Sequence, residues 1–211
     1  TELSYFSRVL GDPKRPFLGI IGGAKVSDKI KVIMNLLNRV DELIIGGGMA
    51  YTFKKVNEGI KIGSSLFDKE GANIVPAIMD AARARGVKIH FPVDHVIADK
   101  FAADAKVDVK EDKDGIPDGW MALDIGPKTR ALNSEVMSRA QTIMWNGPLG
   151  VFEFPAFSDG TREAMFDMVK ATQRGATTVI GGGDTGAAAG KFTIDNKPIS
   201  SLVSHSSTGG G

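Results

Sequence analysis

Short apolar runs alternate along this chain with longer stretches in which apolar side chains recur every three or four positions. Phe17 to Ile21 reads as a buried strand. Beyond it Ile33, Leu36, Leu37 and Val40 fall at i, i+3, i+4 and i+7, the spacing of an amphipathic helix. Leu43 to Ile45 is a second strand, and a helix begins near Met49. Val75, Ile78, Met79 and Ala82 mark a third helix, weakened in its first turn by Pro76 and ended by Gly86. Val87 to Phe91 is the next strand, and Thr142 to Trp145 another. Met165, Met168, Val169 and Thr172 give a further helix, ended by Gly175, before a last parallel-type strand from Ala176 to Ile180. Such alternation builds βαβ units, so the pattern predicts a doubly wound α/β domain: a mostly parallel sheet with helices on both faces, a Rossmann-like three-layer sandwich. The rhythm breaks over residues 94–125, where hairpin or loop insertions are expected, and the charged residues at 106–114 read as a solvated loop.

Three of the strands run into glycine clusters, Gly22-Gly23, Gly46-Gly47-Gly48 and Gly181-Gly182-Gly183, and a fourth cluster closes the chain at Gly209 to Gly211. Glycine admits positive φ and close approach of a ligand to backbone. Open α/β sheets bind ligands beyond the carboxyl ends of their strands, so the clusters predict a shared ligand edge. After Gly23 and Ala24, Lys25 and Lys29 share one face at a helix start, where the dipole disfavours cations by roughly 0.3–1 kcal/mol. A bound phosphate would offset that cost, while two solvated surface lysines would explain the pattern equally well. The segment is not a Walker A loop. Gly181 to Gly186 contains G-x-G-x-x-G, the mark of a dinucleotide-dependent oxidoreductase, yet no acidic residue follows Asp195 to complete that fingerprint. Asp184 reads as an N-cap or as a Mg²⁺ ligand meeting phosphate oxygens. Gly46 to Gly48 would admit a flat ring against bare backbone, or tight helix–strand packing. In Asn146 to Glu153, Asn146 is placed to approach phosphate and Glu153 to accept from sugar hydroxyls; a structural loop is the alternative. His90, His95 and His205 lack metal-ligand spacing, and His95 reads as a satisfied structural histidine in preference to a catalytic one. Trp120 and Trp145 read as packing.

Composition narrows the rest. A 211-residue chain that is 42% hydrophobic and 24% charged folds as an ordinary globular domain. Its net charge of +1 supplies no global field for nucleic acid or an anionic membrane. With no cysteine, disulfides, thiolate catalysis and Cys-type zinc sites are excluded. No apolar run reaches the ~18 residues of a membrane span. Thr1, with no start Met or signal-like region, leads to the expectation that the numbering begins inside a longer chain.

In order along the chain stand GGAKVSDK at 22–29, IIGGGMAYTF at 44–53, PVDHVIADKF at 92–101, LDIGPKT at 123–129, WNGPLGVFE at 145–153, IGGGDT at 180–185 and SHSSTGGG at 204–211. Together these segments resemble the phosphoglycerate kinase family, specifically its C-terminal, nucleotide-binding half, nearly end to end. The resemblance implies a phosphotransferase of glycolysis with a carboxyl group as acceptor, passing phosphoryl between 1,3-bisphosphoglycerate and MgADP to give 3-phosphoglycerate and MgATP. It implies that Lys25 contacts the transferring phosphoryl and Lys29 the nucleotide phosphates, that Asp184 binds Mg²⁺, and that Gly182, Gly183 and Thr185 present amides to phosphate oxygens. Glu153 would hold the ribose, Asn146 would approach the phosphates, and Pro148 would pack by the sugar. Gly23, Ala24, Gly47, Gly48, Phe101, Ala122, Leu123 and Val151 would complete the nucleotide site. Thr208, Gly209 and Gly210 would open a helix facing the transferring group. It further implies a leading interdomain helix over 1–15 and a nucleotide-binding domain over 16–211. A monomeric, cytoplasmic enzyme is expected, an organelle form being the lesser alternative, with no nucleic-acid or membrane partner. The family's N-terminal half, which binds the phosphoglycerate, and the segment after STGGG are absent from this sequence, so the chain alone is expected to bind nucleotide without turnover. Lys54 and Ser206 stand where Leu and Val are usual, and 192–203 is longer than common.

Overall fold

A computed structural model describes residues 11–207, so the leading helix expected over 1–15 lies largely outside the described residues, and the Thr208 to Gly211 cluster lies wholly outside them. In chain order come β1 (Phe17–Ile21), α1 (Val26–Leu37), β2 (Glu42–Ile45), α2 (Met49–Glu58), α3 (Lys69–Ala72), α4 (Val75–Arg85) and β3 (Lys88–His90). Then follow β4 (Asp94–Ala98), β5 (Val107–Glu111), β6 (Met121–Ile125), α5 (Pro127–Arg139), β7 (Thr142–Asn146), α6 (Asp159–Gln173), β8 (Thr177–Gly181) and α7 (Gly183–Lys191). A short hairpin, β9 (Thr193–Ile194) with β10 (Lys197–Pro198), and β11 (His205–Ser206) complete the described chain.

Period-two alternation in β1 builds both layers at once. Phe17 and Ile21 point into a core with Ile33, Phe53 and Val75 from α1, α2 and α4. Leu18 and Ile20 point the other way, into a core with Trp145 and with Met137, Met165 and Ala188 from α5, α6 and α7. The six-stranded sheet runs β11-β8-β7-β1-β2-β3 with every pair parallel. The chain builds outward from β1 through β2 and β3, then returns to lay β7 against the other side of β1. The order therefore reverses between β1 and β7, the topological switch point where α/β sheets open a crevice. The predicted doubly wound fold is the observed one.

Two features depart from the sequence reading. Residues 94–125 take the hairpin form of the hairpin or loop insertions expected there, with a third strand added: an antiparallel sheet, β5-β4-β6, which makes most of the segment at 106–114 a strand rather than a solvated loop. Val107 and Val109 on its edge are exposed, as a solvated segment would be. Asp112, just beyond, is instead drawn inward to His95 and Lys54. Helix α5 has no clear apolar stripe, because Thr129 and Asn133 share its buried face with Val136 and Met137. Its start is set from a distance: the Asp94 carboxylate accepts the N–H groups of Lys128 and Thr129, each at 2.9 Å, the job of an N-cap residue done from β4.

The carboxyl ends of β1, β2 and β7 interlock through bare backbone. Gly22 N–H donates to Asn146 O, Gly23 N–H to Pro148 O, and Gly47 N–H to Leu149 O. A Cβ on Gly147, whose φ is +100°, would stand 2.2 Å from Gly22 O, and one on Gly47 would stand 2.5 Å from Gly23 N. By contrast Gly86, with φ +69°, has open space around it. Gly86→Ala should therefore cost only the left-handed strain, about 1–2 kcal/mol in chemical denaturation. Gly147→Ala, which adds a backbone collision, should cost clearly more; equal losses would contradict the interlock.

Candidate functional site

A cleft of about 660 Å³ opens where the strand-end turns face the antiparallel sheet. One wall is backbone from Gly23, Ala24, Gly47 and Gly48, and the other comprises Ala122 and Leu123 of β6 with Val151. Gly48 is open on the cleft side, since its nearest neighbours lie at ordinary contact distance, whereas Gly47 is required by packing. Phe101 stands at the mouth, 61% exposed, its ring edge-on to Phe154 at 5.3 Å. Pro148 and Glu153 line the rim, and the Glu153 side chain is exposed. This end is a flat, largely apolar slot.

At the other end charge collects around two helix starts. Lys25 is the N-cap residue of α1, extended and exposed, and gives no side-chain cap. The capping is supplied by Asp68, whose carboxylate accepts both the N–H and the hydroxyl of Ser27. Burial alone would raise the Asp68 carboxyl, but the N–H groups of Ser27 and Gly71 outweigh it and hold the group below its ordinary value. Lys29 is half-buried and donates to Asn146 Oδ1 at 2.6 Å. Burial lowers the Lys29 ammonium below its ordinary value, and Asp184 and Asp28 oppose only part of that shift. A partly desolvated cation with one neutral partner is matched to an anionic ligand.

Across from these lysines lies the start of α7. Gly182, at φ +90°, is its N-cap and has no capping side chain. Asp184 is therefore not the N-cap; it sits in the first turn, exposed and lining the cleft. The first helical bond runs from Gly186 N–H to Gly182 O, so the N–H groups of Gly183, Asp184 and Thr185 have no acceptor within the helix. Thr185 is tied down: its hydroxyl accepts Gly147 N–H at 2.6 Å, fixing α7 to the strand-end interlock. Among the described residues no three His, Cys, Asp or Glu side chains gather as a metal cage. The donor set at Asp184 is one carboxylate, which suits a hard cation taking its other ligands from water and phosphate oxygens.

Of the sequence-predicted residues, Gly23, Ala24, Gly47, Gly48, Phe101, Ala122, Leu123, Pro148, Val151, Glu153 and Asp184 line the cleft, while Lys29, Asn146 and Gly182 cluster beside Asp184 without lining it. Lys25 and Gly183 occupy the two helix starts without lining the slot. Gly209 and Gly210 lie outside the described residues. Sequence reasoning missed Tyr51, Ser64, Leu66, Met121, Asp124, Leu149, Gly150 and Phe154 as site residues, which also line the cleft. Asp124 had a signal, being the one charge inside an apolar strand. Its carboxylate accepts Gly160 N–H at 3.0 Å and Ile125 N–H at 2.8 Å, tying β6 to the start of α6.

Comparison with known proteins agrees with the motif reading. The sequence profile of the family described as Phosphoglycerate kinase matches residues 1–211. A probable phosphoglycerate kinase of Caenorhabditis elegans is 58% identical over 210 residues, covering 100% of this chain and 49% of that protein. The phosphoglycerate kinase of Saccharomyces cerevisiae is 53% identical over the same length and coverage. The structure of phosphoglycerate kinase from Coxiella burnetii superposes with a TM-score of 0.91 at 41% identity, covering 100% of this chain and 52% of that one. The chain spans about half the length of the curated relatives it matches.

Burial pushes the Asp124 carboxyl up to about 8, against the two backbone N–H groups that favour its ionised form. The folded chain then holds this proton more tightly than the unfolded chain, so Asp124 lowers stability as pH rises from about 4 to about 8. Asp124→Asn removes that titration. Its stability relative to wild type should rise across this window in parallel denaturation series, and a constant difference would contradict the shift.

Proposed function

The chain belongs to the phosphoglycerate kinase family, and from that premise we propose that it is the C-terminal, nucleotide-binding half of such an enzyme, receiving MgADP or MgATP in the cleft. The observation that carries this reading is the gathering of Lys29, Asp184 and the first-turn N–H groups of α7, which have no acceptor within their helix, beside one end of a largely apolar slot. Polyphosphate suits the first end and a flat base the second. The base would lie between Gly47–Gly48 and Leu123–Val151, with Phe101 at the entrance, and Glu153 would accept from the ribose hydroxyls. The dinucleotide alternative raised by the 181–186 glycines has no such support.

The reaction proposed for the whole protein is reversible phosphoryl transfer between 1,3-bisphosphoglycerate and MgADP, giving 3-phosphoglycerate and MgATP. Such transfer asks little covalent chemistry of the protein; positioning and charge stabilisation dominate. The Lys29 ammonium, held by Asn146 and made less solvated by burial, would neutralise nucleotide phosphate charge. Lys25, exposed beside it at the start of α1, would reach the phosphoryl in flight. The N–H groups of Gly183 and Thr185 would point the α7 dipole at phosphate oxygens. Mg²⁺, when held by Asp184 together with phosphate oxygens and water, would supply further charge neutralisation. The acyl phosphate would be presented by an N-terminal half, closing against this one to exclude water. Residues 16–211 would act as one nucleotide-binding unit in a monomeric, cytoplasmic enzyme.

Calorimetric titration of this chain with MgADP tests the reading. Binding at or below millimolar nucleotide is expected, together with no significant turnover in a coupled assay without the other half. Lys29→Met should weaken MgADP at least about tenfold, since a charge-assisted phosphate contact contributes roughly 1.5–3 kcal/mol. No binding at millimolar nucleotide would overturn the nucleotide assignment, and full turnover by the chain alone would overturn the need for a second half.

A further inference from the structure

One side of the cleft is held by a ring of polar contacts, closed through the backbone of α2, that the proposed chemistry does not use. Tyr51 and Lys54 project from α2 one turn apart, and His95 of β4 and Asp112 lie opposite them on the antiparallel sheet. The Tyr51 hydroxyl meets His95 Nδ1 at 2.9 Å. His95 Nε2 meets Asp112 Oδ1 at 2.7 Å, and Lys54 Nζ donates to Asp112 Oδ2 at 2.6 Å. Tyr51, Lys54 and His95 are each at most 3% exposed. Lys54 is further neutralised by Glu58 at 2.8 Å.

Asp112 fixes the direction of the hydrogen bonds it accepts in this ring. Burial alone would raise the Asp112 carboxyl, but hydrogen bonds from His95 and Lys54 outweigh it and hold the group below its ordinary value. An ionised Asp112 is acceptor-only, so His95 Nε2 carries hydrogen and donates to it. The second hydrogen bond joins His95 Nδ1 and the Tyr51 hydroxyl, and its direction follows the imidazole's tautomer and charge. The hydroxyl of Tyr51 is thus consumed by the ring, although Tyr51 itself lines the cleft. Its aromatic ring also packs edge-on to His95 at 5.1 Å.

Both partners of this ring carry a wall of the slot. Helix α2 begins directly after Gly47 and Gly48, and its first residue, Met49, donates to Gly23 O. Strand β4 pairs with β6, setting Ile97 opposite Ala122 just before Leu123. We propose that Tyr51, His95, Asp112 and Lys54 form a positioning device that fixes the distance between the Gly47–Gly48 wall and the Ala122–Leu123 wall, and so sets nucleobase affinity. The proposal rests on the nucleotide reading above. A slot held open at the right width before binding avoids an ordering cost when the base enters. Because the base is remote from the transferring phosphoryl, loosening the slot weakens ground state and transition state alike and appears in KM rather than kcat.

The test uses the full-length protein with Tyr51→Phe, which removes one oxygen, and His95→Phe, which keeps an aromatic ring and removes both hydrogen bonds. KM for MgADP should rise about fivefold in Tyr51→Phe, the loss of roughly one hydrogen bond, and at least as much in His95→Phe, while kcat and KM for the phosphoglycerate substrate stay within about twofold in both. His95→Gln, which offers a donor and an acceptor, should restore most of the nucleotide KM lost in His95→Phe. A lowered thermal midpoint with unchanged KM for MgADP in both variants would make the ring a structural staple only and overturn the proposal. An equal fall in kcat would overturn it as well. Wild-type protein that binds no MgADP would instead remove the nucleotide reading, and this inference with it.

Discussion

The site depends on backbone meeting backbone at the carboxyl ends of β1, β2 and β7. Gly22, Gly47 and Gly147 pass so close that a single Cβ at any of them would overlap a neighbouring main-chain atom. That closeness lets the N–H groups of Gly22, Gly23 and Gly47 find carbonyl partners on the adjacent turns, so three loops that would otherwise leave buried polar groups unpaired satisfy one another. It also sets where α1 and α2 start. The Thr185 hydroxyl on Gly147 N–H extends the same lock to α7. Every group proposed to meet nucleotide hangs from this knot or from the sheet facing it.

The cleft divides the electrostatic work from the packing work. At the phosphate end the fold keeps cations partly dry: Lys29 is half-buried against Asn146, a neutral acceptor that orients it without neutralising it. Asp68 satisfies the start of α1 from the side, and Lys25, which makes no cap there, stands exposed within electrostatic reach of that carboxylate. At the base end the surfaces are backbone and small or apolar side chains, and the polar groups nearby are spent on the protein itself. The Asp124 carboxylate is engaged by Gly160 and Ile125, and the Tyr51 hydroxyl by His95. A slot of this kind recognises a ring by shape and burial more than by hydrogen bonding.

The antiparallel sheet gives the domain its second wall. It packs at the open side of the parallel sheet, and its attachments are polar as well as apolar. Asp94 starts α5, Asp124 ties β6 to α6, and His95 with Asp112 grips α2. Buried charges and polar groups are tolerated at these points because each has partners of matching character, which limits the cost of removing them from water.

Much of the fold is legible in the sequence. Period-two and period-3.6 patterns located β1, β2, β7, β8, α1, α2, α4 and α6, because a strand buried on both faces and a helix packed on one leave those spacings in the sequence. The order of elements and the glycines at strand ends located the ligand edge, and the motifs identified the family. What escaped was whatever depends on partners far apart in sequence. Helix α5 starts on Asp94, 35 residues before Thr129, so its own residues carry little apolar signal. Asp112 looked like one solvated charge among many, and only the fold brings Lys54 and His95 to it. Asp184 was an N-cap or a cation ligand until the structure gave the cap to Gly182. Local composition decides which elements form, since propensity and periodicity act over a few residues. The ionisation, burial and pairing of a charged side chain are decided by neighbours that only the tertiary structure supplies.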